Sequence, residues 1–428
     1  MTADAVAGPL AGVRVVEFAQ ALAVPVAAML LGDLGAEVVK IEPPAGDQAR
    51  YLFSRKLTDA PYFVSVNRNK RSICLDLTHD GAAEVVAALV RWADVVLVSL
   101  KPTDLPRYGL DEASLRRVRS DVVYVVNPPL GPNGPQGDQG GYDVLVQGIS
   151  GLSFVTARSE RDVPSNIRPA YNDVGTGMLA ALGAVAALRH RDATGEGQRV
   201  EVSLLSTALL FGQTILGRFD VTEPARERFH AELADLRSAG GGFEDERRLY
   251  RDRVAGGEGS LRFYFRHYRT ADAMVSVGCL SGPLQDRFHT ATGLRDPRRD
   301  PDVRFGTPGF EALIDEAEAL FRTADTEEWI ERLRAAGCPV ARYNLPTEAL
   351  DDPQVVANDY AVTIDHPVLG SHRVPGPAVR FDRTPSGVTR RAPQLDEHTE
   401  EVLAELGLDA VALRAAGVVG RSGAGSAP

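Results

Sequence analysis

A chain of 428 residues, 44% hydrophobic and 25% charged, is long enough for two domains and a sizeable core and has the composition of a soluble globular protein. Its net charge of −11, with no long basic run, argues against a nucleic-acid partner, and no apolar run approaches the ~20 residues needed to span a bilayer. The three cysteines, Cys74, Cys279 and Cys338, are too far apart for a disulfide framework or a zinc site and read as small core residues. The amino terminus lacks the basic-then-apolar pattern of a signal peptide, so a cytoplasmic location is expected.

The first two hundred residues predict an α/β arrangement. Val13 to Phe18 is a short apolar strand, Pro25 to Leu34 a helix with proline in its first turn, and Glu37 to Ile41 a second strand. Gly81 to Ala93 predicts a helix and Asp94 to Val98 a strand; Leu115 to Arg119 ends another helix before the strand Val122 to Val126. Strand and helix alternating in this way give a mostly parallel sheet with helices on its faces. Asn127 to Gly141, rich in Gly and Pro, is a long loop, and Met178 to Leu188 is a helix of small residues.

Beyond about residue 215 the character shifts. Residues 218–259 are charged, dotted with glycine and short of strand signals. Leu261 to Cys279 alternates like a strand pair, and Glu311 to Leu320 and Glu327 to Ala336 are amphipathic helices, the second stopped by Gly337. This predicts a smaller α+β domain over 216–345 between a large α/β domain (1–215) and its carboxyl-terminal continuation (346–428), with a disordered tail from about Arg421.

One stretch carries a candidate for chemistry. In Arg168-Pro169-Ala170-Tyr171-Asn172-Asp173-Val174-Gly175-Thr176-Gly177 a carboxylate stands where a loop becomes a helix. Free backbone N–H groups and the positive end of the helix dipole favour its ionised form there. Gly175 and Gly177 leave no side chains beside it, so a bulky substrate has room to approach. An accessible carboxylate can act as a nucleophile toward an acyl group; an aspartate in such a place more commonly only caps its helix. Arg168, just upstream, suits either a second substrate carboxylate or an ordinary surface bridge. The first βα turn, Glu17 to Pro25, lacks G-x-G-x-x-G, so nucleotide binding of the dehydrogenase type has little support.

Taken together with Leu31 to Pro44, Asn67 to Leu77, Gly140-Gly141-Tyr142-Asp143, Thr194 to Leu204, Asp351 to Val355, His366 to Gly370 and Ala392 to Thr399, these segments resemble family III CoA-transferases. That family includes formyl-CoA transferase, the carnitine CoA-transferase and α-methylacyl-CoA racemase, and the resemblance covers roughly residues 10 to 418. It implies a Rossmann-like large domain plus a smaller α+β domain, two chains interlocked as rings in a homodimer, and Asp173 as the catalytic carboxylate. It also implies coenzyme A in the form of acyl-CoA as substrate, with a carboxylic acid as acceptor and no permanently bound cofactor or metal. Ala21, Leu22 and Ala23 fall where the family holds CoA and its thioester, although transferases often carry glutamine at the place of Leu22. Lys70 and Arg107 match phosphate contacts, with Lys40 and Arg68 as weaker candidates, since phosphates want fixed cations.

Tyr142 stands where the racemases have histidine. Racemisation needs a base on each face of the carbanion, and a tyrosine with a reference pKa near ~10 is a poor partner. The eight histidines, at 79, 190, 230, 267, 289, 366, 372 and 398, lie away from this motif, which favours transfer over racemisation. A CoA-binding protein without turnover is the reading outside enzymes. Gly256-Gly257-Glu258-Gly259 stands near the place of the family's glycine-rich covering loop, while Phe229 to Arg253 departs from the family pattern.

Overall fold

Runs of β-branched residues become the strands of a six-stranded sheet in a computed structural model that describes residues 8–52, 59–254, 259 and 261–421. The strands are β1 (Arg14–Ala19), β2 (Glu37–Glu42), β3 (Lys70–Cys74), β4 (Val95–Ser99), β5 (Val123–Val126) and, beyond a hairpin of β6 (Ser159–Glu160) and β7 (Val163–Pro164), β8 (Arg199–Glu201). All pairs are parallel, in the order β3-β2-β1-β4-β5-β8. Chain direction across the sheet reverses between β1 and β4, and open α/β sheets receive ligands beyond the strand ends at such a point.

The connecting helices are α1 (Ala23–Asp33), α2 (Pro61–Val64), α3 (Ala82–Trp92), α4 (Leu105–Tyr108), α5 (Glu112–Val118), α6 (Asp143–Ile149), α7 (Leu152–Thr156), α8 (Tyr171–Thr194), α9 (Leu204–Phe211) and α10 (Gln213–Leu216). Alternation along each strand sends side chains to two cores. Val16, Phe18, Val39, Ile73 and Val96 meet α3 and a helix over Thr399–Glu405 on one face. Val15, Val38, Val95, Leu97 and Val123 meet α1 and α8 on the other.

Alpha-one and α8 lie unusually close because their facing residues are small. A Cβ on Gly177 would stand 2.5 Å from the Ala23 carbonyl oxygen, and one on Gly175 2.4 Å from the Phe211 ring. These glycines therefore serve helix packing rather than clearance for a substrate, which corrects the expectation above. The outer edge of β3 is covered by the return of the chain: Leu75 bridges to Val419 in antiparallel fashion, and the Asp76 N–H donates to the Val418 carbonyl at 3.0 Å. Covering an edge removes a row of unpaired backbone groups.

Two compact units divide the chain. One runs to Gly217 and resumes at Gln354; the other is Arg218–Pro353. The second holds α11 (Glu223–Ser238), α12 (Phe243–Arg253), α13 (Leu261–Tyr264), β9 (Phe265–Arg269), β10 (Met274–Gly278), α14 (Gly282–Thr292), α15 (Pro308–Phe321), α16 (Thr326–Ala335) and β11 (Val340–Arg342). Its antiparallel sheet has the order β11-β10-β9, and Tyr268 stacks on Phe321 at 4.1 Å in its core. The strand pair expected from Leu261 begins instead with α13, because Phe263 and Tyr264 turn into the aromatic core from a helical turn. Back in the first unit, β12 (Ala361–His366) and β13 (Gly370–Pro375) form a hairpin. Among the described residues no helix is long and apolar enough to cross a membrane.

Candidate active site

The turn from β1 into α1 rests on charges that never meet water. Glu17, Lys40 and Lys70 are fully buried, and Glu17 pairs with both lysines at 2.8 Å. The Lys40 ammonium spends its other donors on the Ala19 carbonyl and Asp47, each at 2.8 Å. Asp47 in turn accepts the Ala21 N–H at 3.0 Å and that of Ala49 at 2.9 Å. Glu42 accepts two hydrogen bonds from Arg50 at 2.7 Å, and Arg50 also reaches Asp59 and covers the Phe63 ring. Burial pushes the Glu42 carboxyl up, but Arg50 outweighs it and holds the group at about 2. Ala21 sits at φ +66°, a left-handed conformation that a residue with a Cβ adopts at a cost, and Asp47 holds it there.

Lys70 is therefore not placed as the phosphate reading expects. It donates to the Asn67 side chain and the Pro25 carbonyl and pairs with Glu17, all at 2.8 Å, and no part of it reaches solvent. Burial lowers its ammonium to about 8 against the pull of Glu17. The weaker candidates are occupied in the same way: Lys40 as above, and Arg68 by Asp33 at 2.6 Å. Arg107 differs. It is exposed on α4, over the ring of Tyr108 at 5.8 Å. Tyr108 lines a cavity of about 210 Å³ at the carboxyl ends of β1–β4, together with Ala19, Gln20, Pro43, Thr78 and Leu100. A larger cleft of about 800 Å³ lies at the amino ends of β2 and β3, lined by Asp33, Glu37, Asn69 and Arg71, on the far side of the sheet.

Asp173 is the third residue of α8, not its cap. The cap position belongs to Ala170, and no side chain caps the helix. Asp173 is half-buried, and among the described residues its carboxylate makes no hydrogen bond and no ion pair. Burial, then the neighbouring Asp143, push its carboxyl up to about 7. The dipole was expected to keep this group ionised; loss of water and a like charge oppose it and win.

The turn and the carboxylate meet through the α1–α8 contact. Leu22 packs in a small apolar cluster with Val26, Val66, Tyr62 and the cap residue Ala170, while Ala23 touches the Gly177 position. The Tyr62 phenol is pushed up to about 12 by burial and then by Asp173, Asp47 and Asp143. Tyr142 stands 62% exposed just before α6, and its neighbour Asp143 is bound by Asn172 of α8. Asp143 and Tyr62 were not singled out from sequence; the one available signal was Asp143 in the Gly140–Asp143 motif. Gly256, Gly257 and Glu258 of the expected covering loop lie outside the described residues. All three cysteines are buried, and burial raises their thiols, which keeps them protonated.

Comparison with known proteins bears on this arrangement. The family model for CoA-transferase family III matches residues 10–240 and 245–399. The mouse (Mus musculus) succinyl-CoA:glutarate CoA-transferase is 28% identical over 407 residues, 93% of this chain and 86% of the relative. The succinyl-CoA–L-malate CoA-transferase beta subunit of Chloroflexus aurantiacus is 27% identical, covering 93% of this chain and 94% of its own. Among solved structures, a CAIB/BAIF family protein from Brucella suis superposes with a TM-score of 0.72 at 26% identity, over 94% of this chain and all of that one.

Replacing Lys70 separates a buried support from a surface contact. Lys70→Met leaves Glu17 with one cation in a fully buried site and removes the donor to the Asn67 side chain, so it should destabilise the protein by about 3–5 kcal/mol in denaturant unfolding. A stability equal to that of the unmodified protein, with weakened acyl-CoA binding, would return Lys70 to the ligand.

Proposed function

The chain belongs to CoA-transferase family III, and on that premise we propose that Asp173 is the nucleophile that carries CoA from an acyl-CoA thioester to a carboxylic acid. The observation that carries the reading is a half-buried carboxylate, without a hydrogen-bond partner among the described residues, at the first turn of a helix whose cap residue Ala170 packs with Leu22 of the βα turn. Asp173 attacks the thioester carbonyl, giving a mixed anhydride and CoA thiolate. The thiolate attacks the aspartyl carbonyl and expels the donor acid, leaving an aspartyl-CoA thioester. The acceptor carboxylate attacks that thioester to form a second anhydride, and the returning thiolate takes the new acyl group. Each step exchanges one acyl bond for another of similar energy, which is what a carboxylate nucleophile contributes, and the sequence of steps consumes no redox equivalent.

The relatives named above act, by their names, on succinyl-CoA and dicarboxylic acids, and we take the same class here: succinyl-CoA as donor and a dicarboxylic acid as acceptor. Transfer is preferred to racemisation because the groups that act on Asp173 are burial and Asp143, with no imidazole among them. Offered succinyl-CoA and a panel of carboxylic acids, the protein should make new CoA thioesters detectable by mass, and Asp173→Ala should abolish them. The variant should fold at least as well as the unmodified protein, since it removes a half-buried carboxyl that has no hydrogen-bond partner among the described residues. Because the ionised form attacks, the rate should fall as pH drops through about 7. More than a few per cent of activity in Asp173→Ala would defeat the assignment.

CoA's nucleotide end is assigned to the cavity at the ends of β1–β4, with Arg107, which lies over the ring of the lining residue Tyr108, meeting phosphate. Arg107→Ala should raise the Michaelis constant for acyl-CoA several-fold and leave stability unchanged; an unaltered constant would place Arg107 on plain surface.

We also propose a homodimer. Tyr171, Val174, Met178, Leu182 and Val185 form an exposed stripe along α8, continued by Leu209, Leu210 and Phe211 of α9 and by Leu145 and Ile149 of α6. An apolar face of this extent is the mark of an interface, and the family resemblance supplies its interlocked form. Sedimentation at micromolar concentration should give twice the chain mass of 46.0 kDa; a monomer would overturn it.

A further inference from the structure

Asp143 is built into the site more firmly than Asp173. It opens α6 and is 7% exposed. One of its oxygens accepts from the Asn172 amide, and the other accepts from the Gln147 amide at 3.2 Å. Gln147 cannot turn its amide round: its oxygen accepts the Ile167 N–H at 3.0 Å, and its nitrogen also donates to the Ile167 carbonyl at 3.2 Å. The Gln147 amide is thus a fixed N–H donor; burial pushes the Asp143 carboxyl up, and the hydrogen bonds from Asn172 and Gln147 pull the other way, toward the ionised form. Asn172 directly precedes Asp173, so the tether ends one residue from the nucleophile.

We infer that Asp143 is a positioning residue for the transfer reaction: it anchors the first turn of α8 and sets a fixed negative charge against Asp173. This rests on the reading of Asp173 as nucleophile. The charge has a direct consequence for the chemistry. When Asp173 attacks a thioester, a C–O bond forms, the C–S bond breaks and the negative charge leaves on the thiolate. Whether the product on Asp173 is an anhydride or the later thioester, the side chain is then neutral. The like-charge repulsion from Asp143 is present in the free enzyme and gone in either covalent state, so Asp143 favours loading. Among the described residues the charged group that acts on Asp173 is Asp143 from α6, and the same two carboxylates, with Asp47, act on the Tyr62 phenol of α2. Along α9, the neighbouring residues Ser203, Ser206 and Thr207 bring no charge.

The test follows adduct formation with succinyl-CoA across pH, trapping the activated carbonyl with hydroxylamine and reading the mass of the peptide that carries residue 173. In the unmodified protein an adduct should appear with a midpoint near 7. Asp143→Asn should move that midpoint down by roughly one pH unit and lower the loaded fraction several-fold at pH 8, while Asp143→Glu, which keeps the charge, should hold the unmodified midpoint. Asp143→Ser gives a second charge-free variant and should repeat the shift of Asp143→Asn. A midpoint that Asp143→Asn leaves in place, or that Asp143→Glu moves equally, overturns the inference while the nucleophile stands. Loss of folding in both charge-free variants makes Asp143 purely structural and overturns it too. No adduct in the unmodified protein defeats the nucleophile reading itself.

Discussion

Two buried ammonium groups hold up one backbone turn, and the geometry of the site follows from that turn. Lys40 and Lys70 reach the carbonyls of Ala19 and Pro25 from beneath, and Asp47 holds the N–H of Ala21 between them. Taking such ions out of water is expensive, and it is tolerable only where every donor finds an acceptor. Here each lysine makes two hydrogen bonds and one further ion pair at 2.8 Å, Lys40 with Asp47 and Lys70 with Glu17. The turn so fixed starts α1, and α1 offers the Ala23 carbonyl against which the glycine face of α8 closes. A disturbance among the ions would therefore move Asp173, although none of them touches it.

Asp173 itself sits under opposed influences. A helix start draws negative charge, with a strength that falls off within one turn. Removal from water and a second carboxylate push the other way, and together they prevail. Perturbed groups of this kind gather where a fold has work to do, because a structure selected for stability alone would give the carboxyl a partner or replace it. The firmness of Asp143 beside the bareness of Asp173 is the same contrast in hydrogen bonds: among the described residues one carboxylate is held at both oxygens, the other at neither.

Elements with a strong hydrophobic period were legible from the chain. Val13 to Phe18 and Glu37 to Ile41 lie within a residue or so of β1 and β2, since alternating β-branched runs with buried faces leave little choice. Strands β3 and β8 escaped notice, for Lys70 and Arg71 open the first and Arg199 the second, and charged residues hide a strand whose partners are known only in three dimensions. Alpha-eleven and α12 were read only as charged sequence; they are polar on most sides and meet chiefly each other, with Phe229 edge-on to Tyr250. At the site, the position of Asp173 at a helix start was legible. Its environment was not, because burial and the approach of Asp143 come from α6, thirty residues away in sequence. Lys70 shows the reverse error. A lysine among arginines reads as a phosphate contact, and only the convergence of Glu17, Asn67 and Pro25 reveals a core ion.

The return of residues 418–420 to the edge of β3 bears on how the protein is made. Gly420 donates to the Cys74 carbonyl at 3.2 Å, and Val418 and Val419 flank Asp76 and Leu75. A ribosome adding roughly 5–20 residues each second needs on the order of tens of seconds to travel from one segment to the other. Throughout that interval β3 presents an unpaired edge to the crowded cell, the situation in which strands capture wrong partners. Arg218–Pro353, by contrast, is synthesised as one uninterrupted stretch and is complete before the covering segment exists. Birth order is thus built into the topology: the smaller unit can mature on the ribosome, whereas the edge of the large sheet closes only after residues 418–420 have been made.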